Sequence, residues 1–245
     1  MKNWKISLCS LLFVLGSIGT TYAAEMPKQG LGIQIGWAQP TLRVNDNVSK
    51  DSLSHHIQLH GFKVGVLYDA SYIAGFGSTM GINYTFGASN SGWKSRNPVY
   101  GDYPKDRVLI TYNEVEVFVD WQYKFEVAKE TYLVLYTGPT IQCGLMLDWR
   151  KDTKTEDLIT GDIVTETGAR IDAYKSEDDN NSFKRINVTW GVGAAFQYKR
   201  YFLRGGYDFG LINPYKNADF ANGNHTRGRF DQWSIKIGMH LWYHD

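Results

Sequence analysis

The sequence has 245 residues and a formal charge of +1. Setting aside Lys2 and Lys5 of an export signal leaves 24 basic against 25 acidic residues, too even a balance for a nucleic-acid binder. Twenty-five glycines, sixteen tyrosines and eight tryptophans against six prolines exclude a disordered or collagen-like chain, and the two cysteines, Cys9 and Cys143, allow no internal disulfide once Cys9 leaves with the signal.

Residues 1–23 read as a cleaved secretory signal: two lysines, an apolar run from Ile6 to Ile18, then Thr21-Tyr22-Ala23 with small residues at the −3 and −1 positions. The apolar run is too short for a spanning helix, which needs about 20 residues. No later stretch approaches that length, so residues 24–245 enter a membrane only as a closed barrel.

Beyond the signal the dominant pattern is period-two alternation, which marks strands. The first strand carries Leu31, Ile33, Ile35 and Trp37 on one face. The second carries Phe62, Val64, Val66 and Tyr68, and the third Met80, Ile82, Tyr84 and Phe86. The fourth runs through Val115, Val117, Val119, Trp121, Tyr123 and Phe125. Leu133 and Leu135, then Ile141, Cys143, Leu145 and Leu147, mark a fifth strand interrupted at Thr137-Gly138-Pro139. The sixth carries Trp190, Val192, Ala194, Phe196 and Tyr198; the seventh Leu203, Tyr207, Phe209 and Leu211; the eighth Trp233, Ile235, Ile237, Met239, Leu241 and Tyr243. Connections alternate between long (Pro40–His56, Ser89–Val108, Arg150–Lys184, Asn213–Asp231) and short. This asymmetry is that of an outer-membrane barrel with tight periplasmic turns and long external loops. The expected fold is therefore all-β: an eight-stranded antiparallel up-and-down transmembrane β-barrel. Within the acidic loop 150–184, Leu158-Ile159-Thr160 and Ile163-Val164-Thr165 flank Gly161-Asp162 as a small hairpin of their own.

A soluble barrel or sandwich shares the alternation and is distinguished by its second face. Here that face is rich in glycine, including Gly32, Gly36, Gly61, Gly65, Gly81, Gly191, Gly193, Gly206, Gly210 and Gly238. Glycine weakens a water-facing strand, but inside a narrow barrel it makes room for side chains from neighbouring strands. The same face holds Lys63, Glu114, Glu116, Asp120, Lys124, Arg204, Asp208 and Lys236. Buried charges need partners, so a structural salt-bridge network linking strands 2, 4, 7 and 8 is expected in a plugged lumen. Trp37, Tyr68, Phe86, Trp121, Tyr123, Tyr198 and Tyr243 are the candidate interface girdle.

The strands also resemble a known family. Gly61-Phe62-Lys63-Val64-Gly65-Val66, Tyr112-Asn113-Glu114-Val115-Glu116-Val117, Gly138-Pro139 and the run from Arg185 to Asn213 are similar to strands of the small outer-membrane β-barrel domain family, in its PorT-like group. Val117 stands where that family has proline, and the chain ends Trp242-Tyr243-His244-Asp245 rather than on an aromatic. The resemblance implies an integral protein of the cell outer membrane, in contact with its lipid and with the barrel-assembly machinery. It implies no reaction.

Catalytic constellations are weak. His240 and Ser234 share a strand roughly 20 Å apart, beyond the ~3 Å that base and nucleophile require. His225, Thr226 and Asp231 read as loop residues. On a strand His56 and His60 are about 13 Å apart and His55 faces away, so they form no metal site. Glu177-Asp178-Asp179-Asn180-Asn181 lacks the glycine and bidentate glutamate of a calcium loop, and Cys143 reads as a small apolar residue facing lipid. No cofactor is implied. The leading expectation is a non-enzymatic barrel whose loop 150–184 contacts a partner or surface. A lipid-modifying enzyme, a narrow pore and a soluble periplasmic binding barrel remain open at this point.

Overall fold

The computed structural model describes residues 29–45, 57–73, 75–95, 104–156, 160–175, 183–215 and 227–244. The signal segment 1–23, His55, His56, His225, Thr226 and the acidic run 177–181 lie outside the described residues. Eight long strands form the body: β1 (Gln29–Asn45), β2 (His60–Ile73), β3 (Phe76–Asn90), β4 (Lys105–Ala128), β5 (Thr131–Glu156), β6 (Ile186–Tyr198), β7 (Tyr201–Gly210) and β8 (Arg227–His244). Each pairs antiparallel with its chain neighbours, and β1 pairs with β8, so the sheet closes on itself. Closure leaves no open edge in the membrane, which is the condition for strands to cross hydrocarbon.

The register fixes the geometry of the ring. Following partners around it leads from Gln29 through Ala70, Ser78, Trp121, Thr137, Val192, Tyr207 and Trp233 back to β1 at Gln39. One circuit thus climbs ten residues. With eight strands, a shear of ten corresponds to a tilt of about 40° and a radius of about 8 Å, a lumen that side chains fill.

Burial is inverted relative to a water-soluble protein. Ile82, Val117 and Ile237 on the outside are 51%, 48% and 57% exposed, whereas Lys63 and Glu116 inside are at 0% and 2%. This excludes the soluble-barrel alternative, whose apolar residues would share a dry centre.

The glycine face has a direct explanation. A Cβ at Gly81 would strike the Phe118 ring, at Gly238 the Phe202 ring, at Gly61 and Gly87 the Tyr112 ring, and at Gly193 and Gly206 the Tyr136 ring. Inward glycines on one strand therefore form the seats for inward aromatics of another.

Four sequence expectations are corrected. Pro139 does not interrupt β5: Trp121↔Thr137 and Phe118↔Thr140 keep one register across it, and Pro139 itself pairs with Trp190. Leu147 does not face lipid. Leu145 is an extra residue between Glu114↔Gly144 and Asn113↔Met146, and such a bulge reverses the faces beyond it. Leu147 accordingly lines the barrel mouth with Glu114 and Gln142. The hairpin in loop 150–184 pairs Ile163–Thr167 with Asp152–Glu156, not with 158–160; Gly161 is left-handed at φ 72° in its turn. Finally, that loop is not wholly free. The short strand Ile171–Asp172 pairs with Asp148 and Trp149, and the amide of Ala173 donates to Leu147 O at 2.8 Å, so the segment folds back onto the mouth.

Candidate functional site

The tight turns lie at one end, where Ile73↔Phe76, Ala128↔Thr131 and Tyr198↔Tyr201 close three hairpins. From this end the inward side chains meet in tiers. In the lowest, Lys124 Nζ meets Asp69 Oδ2 at 2.7 Å and Gln122 donates to the other oxygen of Asp69. Thr79 donates to Gln122 at 2.8 Å, and His240 Nε2 lies 3.8 Å from Asp69. Leu67, Phe118 and Phe202 form an apolar layer above. Next to it Arg204 pairs with Asp120 and lays its guanidinium over the Tyr136 ring, 3.7 Å from the centroid. In the upper tier Lys63 Nζ meets Glu116 Oε2 at 2.7 Å, Asn83 donates to Glu116 Oε1 at 2.5 Å, and Gln34 donates to Asn83 at 2.6 Å. In the amide orientation that satisfies both its ends, Gln232 accepts from Lys63 and donates to Glu114 at 3.2 Å.

These contacts join β2 to β4 and β4 to β7, with β8 reaching in through Gln232 and His240. Six of the eight charges named from sequence meet a partner in this way, although Lys124 does so with Asp69, which sequence reasoning missed. Continuing the alternation Lys63, Gly65, Leu67 by one more step would have found it. Lys236 and Asp208 form no direct ion pair among the described residues. Lys236 Nζ lies 5.6 Å from the Phe118 centroid, and Asp208 occupies the space opened by Gly191. Neutral amides carry much of the network, because each offers both a donor and an acceptor to neighbours whose charges are already paired.

The mouth is covered by Tyr112, Tyr174, Phe183, Arg185 and Phe230, around a cavity of about 40 Å³ that reaches Glu114. Tyr174 fills the place of a side chain at Gly144, and Arg185 stacks on its ring at 4.8 Å. Burial, with the nearby Glu114 carboxylate, pushes the Tyr174 phenol up from its ordinary value. A second cavity of about 20 Å³ lies beside Arg204 and His240. Both hold at most a few waters.

Around the outside, the register places Trp37 and Phe86 toward the loop end, joined by Trp190 and Trp233, and Tyr123 and Tyr198 toward the turn end, joined by Tyr201. Tyr68 and Trp121 lie further inside the band, where Trp121 stacks on Trp190 at 5.9 Å. Tyr243 pairs with Gly30 through its backbone, and its side chain is outside the described residues.

Beyond the band, β4 and β5 continue as a paired extension. Arg107 donates to Asp152 at 2.6 Å, Arg150 Nε lies 3.0 Å from the same carboxylate, and Lys151 meets Asp106 at 2.9 Å. Arg107 and Lys154 both lie over the Trp93 ring, 4.6 Å and 4.5 Å from its centroid. The hairpin strand Ile163–Thr167 is exposed along its length.

Of the histidine arrangements considered from sequence, the described residues include His240, His60 and Asp231. His240 is enclosed beside Asp69 and Phe202, and His60 packs against Trp37 with the ring centroids 5.3 Å apart and the planes tilted by 53°. Asp231 is held by Arg43 and Arg229, each at 3.0 Å. Cys143 is exposed on the outer face. Among the described residues no group of three His, Cys, Asp or Glu side chains is arranged to hold a metal ion.

Residues 30–215 match the outer membrane protein beta-barrel domain family. No curated protein matches the sequence. Among solved structures, Ail, the attachment invasion locus protein of Yersinia pestis, is 10% identical with a TM-score of 0.41, covering 88% of this chain and 100% of Ail. Neisserial surface protein A is 12% identical with a TM-score of 0.38, covering 86% and 97%. The translocator domain of the autotransporter NalP from Neisseria meningitidis is 8% identical with a TM-score of 0.36, covering 97% of each chain. The family match spans most of the chain, and the closed, inside-out sheet is the architecture that match requires: this protein belongs to the outer membrane protein beta-barrel domain family and resides in the outer membrane.

Proposed function

We propose that the protein is a non-enzymatic surface barrel with a sealed lumen, serving as a rigid base for an external platform that contacts a partner. The platform consists of the β4–β5 extension and the hairpin at Ile163–Thr167, within the region 150–184. The observation that carries this reading is the stacked interior. Among the described residues, three tiers of paired side chains and the Tyr112–Tyr174 cover occupy the lumen, with cavities of about 40 Å³ and 20 Å³ beside them, which supports a lumen without a solute path. Such a lumen supplies stiffness rather than transport. The exposed Ile163 and Val164 on the platform are the apolar contacts a partner would use. Membership of the PorT-like group, signal removal after Ala23 and insertion by the barrel-assembly machinery belong to the same reading.

Planar-bilayer recording of the purified protein tests the seal: the expected trace is free of steady unitary conductance, and a stable open level in low salt would overturn it. Lipid mass spectrometry of membranes with and without the protein tests the non-enzymatic assignment. A new acylated or deacylated species that depends on the protein would overturn that part.

A further inference from the structure

One charge cluster lies on the wrong side of the wall for the interior network. On β8, Phe230 and Gln232 face the lumen, so Arg229, Asp231 and Trp233 face outward. Arg43 on β1 is the direct cross-strand partner of Arg229. Two like charges opposite one another destabilise a ladder unless something offsets them. Asp231 does so in part. Its side chain is at 0% exposure and takes Arg43 Nε and Arg229 Nε, each at 3.0 Å. It also accepts from Tyr207 Oη at 3.0 Å and from the Gly210 amide at 3.0 Å. The carboxylate thus has four donors, while the two arginine side chains remain 46% and 49% exposed and the cluster retains one net positive charge. Arg43 is further braced by its contact with the Tyr207 hydroxyl at 3.1 Å.

Height decides what these forks face. Trp233 donates its indole N–H to Gln39 across the strands, the amphipathic marker of the interface on this side of the barrel. Arg43 and Arg229 stand four residues beyond that pair on the same outward face, about 10 Å along a tilted strand. They therefore sit at headgroup depth at the loop end, on the lipid-facing side of the wall.

We propose that Arg43 and Arg229 form a clamp for the phosphate of an outer-leaflet lipid headgroup, with Asp231 and Tyr207 as positioning residues. Paired guanidiniums suit a phosphate because each presents parallel N–H donors at the spacing of its oxygens. The clamp anchors the barrel to one class of lipid and fixes its depth.

The test uses the full-length protein in detergent micelles, with native mass spectrometry counting retained lipid A, a phosphorylated glycolipid. Wild type is expected to keep lipid A through mild activation, and Arg43→Gln with Arg229→Gln to lose it at least tenfold more readily. Lys129→Gln with Arg200→Gln, in the tight turns at the opposite end of the barrel, is expected to match wild type. Equal retention by the Arg43/Arg229 variant, or equal retention of dephosphorylated lipid A by wild type, overturns the proposal. So does saturation by inorganic phosphate or heparin with no lipid retained, which would make this a site for soluble anions. If the double variant does not fold, the phosphorus resonances of lipid A are read against wild type alone: a shift abolished by high salt supports the clamp, and no shift overturns it.

Discussion

Lys63 Nζ and Glu116 Oε2 meet at 2.7 Å in the upper tier of the lumen, from strands that are not neighbours in the ring. The pair braces β2 against β4 across β3, whose Asn83 bonds to the same carboxylate. Removing one partner leaves a buried charge uncompensated, which typically costs about 3–5 kcal/mol. Lys63→Met or Glu116→Leu alone should therefore lower the urea midpoint of the folded barrel strongly. The double substitution Lys63→Met/Glu116→Leu should recover most of the loss. Strictly additive losses in the double variant would mean that the two side chains act independently.

Tyr136 and Gly206 make a second testable contact. A methyl at Gly206 would collide chiefly with the Tyr136 hydroxyl, the far end of a side chain rather than backbone. Gly206→Ala should cost about 1–3 kcal/mol, as overpacking does. Tyr136→Phe loses the hydrogen bond to Gly205 O, about 1 kcal/mol, but removes the obstacle. The double variant should be more stable than the sum of the two changes predicts, read as a positive coupling in equilibrium unfolding.

Ile82 and Ile237 face hydrocarbon near mid-height, whereas Ile163 belongs to the external hairpin. Arginine at Ile82 or Ile237 should destabilise insertion into lipid vesicles by about 2–4 kcal/mol, the midplane cost for a barrel. Ile163→Arg should leave insertion within about 0.5 kcal/mol of wild type, as an exposed substitution does. A reversed ranking of the two sites would mean that the band has been placed at the wrong height.

The parts legible in the sequence are those set by local period. Alternation reports which face a residue occupies, so Val117 outside and Glu116 inside follow from their being neighbours. It does not report where a strand stops: ending β2 at Tyr68 hid Asp69, and with it the true partner of Lys124. Nor does it register a bulge, so the single extra residue at Leu145 reversed the side of Leu147 without disturbing the apolar pattern. The fold-back of Ala173 and Tyr174 onto the mouth is less legible still, because a long-range fit of one ring to the space at Gly144 directs it. Asp231 illustrates the remaining limit. Its charge is visible in the sequence, but its cross-strand arginines are set by the register of β1 on β8.

Asp152 links the external extension to pH. It lies six residues past Met146, beyond the apolar run of β5, and pairs directly with Arg107. The hydrogen bond from Arg107, reinforced by Arg150, holds its carboxyl below the ordinary carboxylate range. A carboxyl depressed in the folded state adds stability that is fully present above its unfolded value, about 3.9, and is lost as pH falls through the lower folded value. The base of the hairpin should therefore keep its amide protection from neutral pH down to about 4 and lose it below that. Hydrogen exchange at residues 152–156 and 163–167 reads the change, with the amides of β6 and β7 as an internal reference. Asp152→Asn should show weakened protection at every pH, with the acid step gone. An acid step that persists unchanged in Asp152→Asn would assign it to another carboxyl and remove Asp152 from control of the platform.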